Sequence, residues 1–113
     1  MLRGPGIPEV AAGEVEDLLS QGAALLDVRE PYEWEAGHAS SAVHVPMGSL
    51  TLDNLPEGRP LLVVCHVGGR SAAVTDALVR AGVEAANVSG GMEAWVRAGL
   101  AVVTDAGGPG SIV

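Results

Sequence analysis

The sequence predicts an α/β domain of three layers, with about five mainly parallel strands covered by helices on both faces. Short apolar runs recur along the chain, and most alternate with a segment of helical periodicity ended by glycine. Such runs read as strands covered on both sides, and their alternation with helices implies crossover connections in a parallel sheet. The apolar fraction is 48% although Phe is absent and aromatic residues make up 3%, so the core has to be built from closely packed Ala, Val and Leu. With 113 residues, one domain with one buried interior is expected.

In chain order, residues 14–21 form the first predicted helix. Val15, Leu18 and Leu19 share a face, acids crowd the first turn and Gly22 stops it. The run A-A-L-L-D-V at 23–28 is a strand. A second helix follows, with Pro31 suited to its first turn and Gly37 as its stop. Residues 42–45 form another strand ended by Pro46, and 48–54 a short helical turn. L-L-V-V at 61–64 is the clearest central strand. The helix predicted over 71–81 aligns Ala73, Val74, Ala77, Leu78 and Ala81 before Gly82. A strand at 85–88 leads to a helix over 90–98, with Ser89 as N-cap and Met92, Trp95 and Val96 inward, and 100–103 completes the strand set. The domain is expected to span 1–103, with T-D-A-G-G-P-G-S-I-V at 104–113 as a flexible tail.

Charge excludes several functions. A net charge of −8 and only six Lys and Arg leave no basic face for nucleic acid or anionic lipid, so neither is an expected partner. The longest apolar run, 61–65, is far short of the ~20 residues of a membrane span. The start M-L-R-G-P-G-I-P lacks a signal-peptide core, and a cytoplasmic location is expected. His38 and His44 lie in no cluster of metal-ligand spacing, so neither a metal nor a cofactor is expected. The single cysteine, Cys65, excludes an internal disulfide and leaves three readings: a small buried hydrophobe, a stray thiol or a nucleophile.

Its context favours the nucleophile. Cys65, His66, Val67, Gly68, Gly69, Arg70 and Ser71 lie between the best strand and one of the best helices. Gly68 and Gly69 let the backbone curl so that N–H groups point at the sulfur, the helix N-terminus faces the same place, and Arg70 adds a positive charge. A free thiol titrates near ~8.5, and such surroundings lower that value, so Cys65 is expected to be an accessible, ionised nucleophile. The plainer reading, a buried cysteine ending an apolar strand beside a tight turn, leaves the adjoining arginine and helix start unexplained.

The pattern C-x-x-G-x-R-S after an apolar strand resembles the active-site loop of the rhodanese family of sulfurtransferases. Similar segments occur in the same order: D-V-R-E, E-W-E-A-G-H, a short strand ending V-P, and S-G-G-M-E-A-W-V-R-A-G-L. Together they cover about 7–103. The chain departs from the family at 37–42, where G-H-A-S-S-A stands in place of the common G-H-I-x-G-A. The resemblance implies a rhodanese-like fold and a Cys65 persulfide. A small anionic donor such as thiosulfate, or a persulfide including one on a protein, would supply the sulfur, and a thiol or cyanide would accept it. The N–H groups of residues 66–70 would form the cradle. His66 either assists Cys65 or points to solvent. Arg70 either orients the donor or pairs with an acid such as Asp27, and Asp27 and Arg29 are expected to support the loop.

Two other functions compete. Cysteine-dependent phosphatases and arsenate reductases place five residues between cysteine and arginine, whereas four separate Cys65 from Arg70, which makes a tighter ring suited to one sulfur. An arsenate reductase working through an internal disulfide also needs a second cysteine. A regulatory or binding module of rhodanese type is the non-enzymatic alternative, a role associated with loss of the cysteine that this chain retains.

Overall fold

The computed structural model describes residues 6–113. Its five strands are β1 (Glu9–Val10), β2 (Ala24–Asp27), β3 (Ala42–His44), β4 (Leu61–Val64) and β5 (Ala85–Val88). All pair in parallel in the order β1-β5-β4-β2-β3, so β4 is central and flanked by β5 and β2. The α-helices are α1 (Val15–Ser20), α2 (Pro31–Ala36), α3 (Gly69–Arg80) and α4 (Gly91–Arg97), with 3-10 turns at Ala12–Glu14 and Met47–Ser49. Among the described residues no helix is long and apolar enough to cross a membrane.

The position of β4 explains why its sequence is apolar without interruption. Side chains alternate across a strand, and in β4 Leu62 and Val64 join Val15 of α1 and Met92 and Trp95 of α4 on one face. Leu61, Val63 and Cys65 join Val74 and Leu78 of α3 on the other. Both faces of β4 are therefore dry, and Cys65 continues the α3 side of the pleat. In the chain's one departure at 37–42, Ala39 is itself fully buried in the first of these clusters.

Several sequence expectations are corrected. The fifth strand is Glu9–Val10 rather than 100–103: the free edge of β5 is occupied by β1, through Asn87 N–H to Pro8 O and Ser89 N–H to Val10 O. Residues 100–103 then have no edge beside β5 to join, and Val103 makes isolated antiparallel bridges to His38 and Pro109. The helical turn expected over 48–54 is limited to Met47–Ser49. Ser89 does not cap α4. Its hydroxyl donates to Glu9 Oε1 at 2.8 Å, and Gly90, at φ +75°, takes the N-cap position. α3 begins at Gly69, two residues earlier than the periodicity suggests.

Residues 104–113, read from the sequence as a flexible tail, fold back onto the domain. Gly110 N–H donates to Val102 O, Ser111 N–H donates to Ala36 O, and Ile112 packs on the core. Glycine composition does not release this segment, because it allows close approach: a Cβ on Gly110 would lie 2.7 Å from Gly37 Cα. Residues 1–5 of the expected leaderless start and of the 1–103 domain lie outside the described residues.

Candidate active site

Strand order reverses at β4: the chain runs outward from β2 to β3, then returns across β2 to β4 and on to β5. Crevices at such reversals, beyond the carboxyl ends of the strands, are where open α/β sheets place their sites. Cys65 is the first residue after β4. Gly68 adopts φ +110° and caps α3, a conformation that favours glycine and brings the helix N-terminus round to face the sulfur.

Three hydrogen bonds converge on Cys65 Sγ: from Gly68 N–H at 3.1 Å, Ser71 N–H at 3.3 Å and the Ser71 hydroxyl at 3.2 Å. Burial opposes ionisation and is the largest single influence. The hydroxyl of Ser71 and the N–H groups of Ser71, Gly68 and Arg70 together outweigh it and hold the thiol below its ordinary value. The expectation of an accessible thiol is corrected: Cys65 is 1% exposed, enclosed by the loop that polarises it. The cradle is also shifted along the chain. Ser71, fully buried, supplies two of the three contacts, and the N–H groups of His66 and Val67 supply none.

The outer side of the loop is fixed by α4. Met92 N–H donates to Cys65 O at 2.8 Å and Glu93 N–H to His66 O at 3.1 Å. Gly91, at φ +61°, permits this contact, since a Cβ there would stand 2.5 Å from both carbonyl oxygens. The loop carbonyls are thereby turned toward one helix N-terminus while the sulfur faces another, so donors rather than acceptors surround Sγ.

The remaining predicted residues divide clearly. Arg70 does pair with an acid, but that acid is Glu33 of α2 and not Asp27: Nη1 and Nη2 donate to Oε1 and Oε2 at 2.7 and 2.9 Å. Asp27 is committed to Arg29, whose Nε and Nη2 donate to its carboxylate at 2.9 to 3.1 Å with both side chains fully buried. Arg29 Nη2 also donates to Gly37 O, which ties the end of β2 to the end of α2. This pair reaches the loop through the sheet, where Val28 N–H donates to Val64 O, one residue before Cys65. His66 Nε2 lies 3.2 Å from Glu93 Oε2, Val67 is exposed at the loop tip, and Gly69 opens α3.

Sequence reasoning missed Glu33. Its side chain has a second partner, since Oε1 accepts Glu30 N–H at 2.9 Å at the start of α2. The hydrogen bonds of Arg70 hold its carboxyl at about 2, against the effect of burial and with help from Glu30 N–H. An E-P-x-E start to a helix signals this capping arrangement, but nothing local signals the arginine 37 residues on. His38 and His44 stack on Trp34, with ring centroids 3.5 and 4.7 Å away. Their ring nitrogens meet Trp34 O and Arg29 O, so both brace the scaffold.

An apolar groove of about 390 Å³ lies between Met47–Leu52 and α3, lined by Leu50, Ala73, Ala77 and Ala81 among others. It contains no residue of the cysteine loop.

The comparisons with known proteins agree with this fold. The chain matches the Rhodanese-like domain family over residues 11–98. It is 35% identical over 108 residues to the uncharacterized protein slr1261 of Synechocystis sp., a match covering 92% of this chain and 60% of that protein. A rhodanese-related protein from Thermoplasma volcanium superposes with a TM-score of 0.78 at 28% identity, covering 87% of this chain and 99% of that one. A thiosulfate sulfurtransferase from Pseudomonas aeruginosa gives 0.76 at 27% identity, covering 95% of this chain and 22% of that one. The chain thus spans less than two thirds of the Synechocystis relative and under a quarter of the Pseudomonas enzyme. A central strand delivering a lone cysteine into an amide cradle, with a family match over 11–98, makes this chain a member of the rhodanese-like domain family.

Proposed function

We propose that the protein is a cytoplasmic sulfurtransferase that carries a sulfane sulfur on Cys65. The observation that carries this reading is the convergence of three donors on one sulfur at the N-terminus of α3. The Cys65 thiolate attacks the outer sulfur of thiosulfate or of a persulfide. A new S–S bond forms, the donor's S–S bond breaks, and its electron pair leaves with sulfite or a thiolate. An acceptor thiolate or cyanide then attacks the outer sulfur of the Cys65 persulfide and restores the thiolate, so charge and atoms balance at each step. The leaving groups are stable anions near neutral pH, and no strong general acid is needed.

Each loop residue has a part in this scheme. The N–H groups of Gly68, Arg70 and Ser71, with the Ser71 hydroxyl, stabilise negative charge on sulfur as preorganised dipoles. His66 and Val67 form the rim that a donor, including a protein persulfide, meets first, and Gly69 lets the helix start close to the sulfur. Asp27 and Arg29 hold the strand end beside Cys65. A phosphatase role is disfavoured because the guanidinium of Arg70 is held by Glu33 rather than aimed at an oxyanion. The retained cysteine argues against a purely regulatory module.

Intact-mass measurement after incubation with thiosulfate or glutathione persulfide tests the proposal. A gain of one sulfur is expected, absent in Cys65→Ser and removed by cyanide. Failure to load sulfur from either donor, with hydrolysis of a phosphate ester, sinks it.

A further inference from the structure

Arg70 is the one full positive charge in the cysteine loop, yet it is not available to a ligand as a lone charge. Both of its terminal nitrogens donate to Glu33, whose carboxylate is 4% exposed while the arginine side chain is 37% exposed. A two-pronged pair of this kind uses the terminal edge with which a guanidinium would otherwise grip an anion. The neighbouring groups do not replace that charge: His66 faces Glu93, and Arg29 is buried against Asp27. Sγ is therefore stabilised by dipoles, which suit one negative charge on sulfur, while the rim offers little attraction to a second.

On the sulfurtransferase reading above, the donors differ in this respect. Thiosulfate brings two negative charges to the thiolate, and a small persulfide anion brings one. We infer that Glu33 is a specificity-determining residue: by holding Arg70 in a two-pronged ion pair it withholds the arginine charge from the donor and disfavours dianionic thiosulfate relative to singly charged persulfides. The basicity of Arg70 is raised, first by the Glu33 hydrogen bonds, with burial opposing and the charges of Glu33 and Cys65 adding to the rise.

Glu33→Gln separates this role from a structural one. Its amide oxygen can still accept Glu30 N–H and preserve the start of α2, whereas its NH2 cannot accept from Arg70 Nη2, so one prong is lost and the arginine charge is unmatched. Because the chain has one cysteine, alkylation read by intact mass reports Cys65 alone. The ratio of the iodoacetate rate to the iodoacetamide rate measures how the site treats an added negative charge, whether or not sulfur is transferred.

In Glu33→Gln this ratio rises about 3- to 10-fold at low salt, and the gain shrinks near ~1 M salt, where the screening length falls to ~3 Å. The kcat/KM for thiosulfate rises by a similar factor, and that for 2-hydroxyethyl persulfide changes less than about 2-fold. Adding Arg70→Gln to Glu33→Gln abolishes the gain. Arg70→Gln alone leaves Glu33 unopposed and lowers the ratio, a readout that stands even if Glu33→Gln fails to fold. An unchanged ratio in a folded Glu33→Gln, an unchanged ratio in Arg70→Gln, or a gain that survives in the double variant overturns the role of Glu33 while sulfur transfer stands. A shifted ratio in a protein that loads sulfur from neither donor overturns the sulfurtransferase reading, and the donor preference with it.

Discussion

Ser71→Ala removes one contact to the sulfur and little else. The hydroxyl donates to Cys65 Sγ at 3.2 Å from a fully buried position, while the backbone N–H of residue 71, also bonded to the sulfur, survives the substitution. A hydrogen bond to a charged acceptor contributes ~1.5 to 3 kcal/mol. The diffuse charge of sulfur and the two retained N–H donors place this one just below that range, near ~1.4 kcal/mol, which is about one pKa unit. Burial, the largest influence on Cys65, already pushes the thiol up, so loss of the strongest opposing contact moves it upward. The assay is the pH dependence of iodoacetamide alkylation followed by intact mass. Below both pKa values the variant reacts about three- to fourfold more slowly, and on the high-pH plateau about threefold faster, since a more basic thiolate is somewhat more nucleophilic. A titration midpoint that stays put or moves down refutes the hydroxyl's part in the cradle.

Other perturbations probe the scaffold. Gly91→Ala places a Cβ 2.5 Å from the carbonyl oxygens of Cys65 and His66 at φ +61°, and a loss of about 2 to 4 kcal/mol is expected in urea unfolding. A loss below about 0.5 kcal/mol would show that the α4 N-terminus does not clamp the loop. Leu62→Ala empties a fully buried site in the central strand and is expected to cost about 3 kcal/mol by the same measurement. Glu33 has a folded-state pKa of about 2 against 4.5 ordinarily, so its contribution is present above pH 4.5 and is lost as pH falls toward 2. With screening at the partly exposed Arg70 discounted, that contribution is about 1 to 2 kcal/mol. The gap in urea midpoint between the parent protein and Glu33→Gln should narrow between pH 6 and pH 3, and a constant gap contradicts the assignment.

The sequence made the centre of the molecule readable and its periphery hard to read, for physical reasons. L-L-V-V is long enough and apolar enough to mark a strand buried on both faces, and Gly68 with Gly69 mark the turn that follows. The 85–88 strand, apolar apart from Asn87, is legible to the residue. β1 is two residues at a sheet edge, too short to carry a period, and its pairing is fixed by the partner strand. The apolar run at 100–103 looked like a strand because hydrophobicity does not reveal whether a free edge remains. The cradle was legible as a loop but not in its membership: an early start to α3 brings Ser71 round to the sulfur. The partner of Arg70 was out of reach because it depends on how α2 is laid over the loop, a tertiary placement with no local trace.

The alternation of β4 between its two apolar clusters has a consequence for which changes in length the chain can survive. Leu61, Val63 and Cys65 share the side that faces α3. An added residue before position 61 can be taken up by the connection from β3. The same addition between 61 and 64 would reverse the pleat beyond it and turn the sulfur toward α4, away from every N–H that polarises it. In a set of related chains, insertions and deletions should therefore crowd into the 46–60 connection and spare the four residues of the strand. Spacing within β4 works as a ruler that measures the nucleophile into place, and its tolerance is less than one residue.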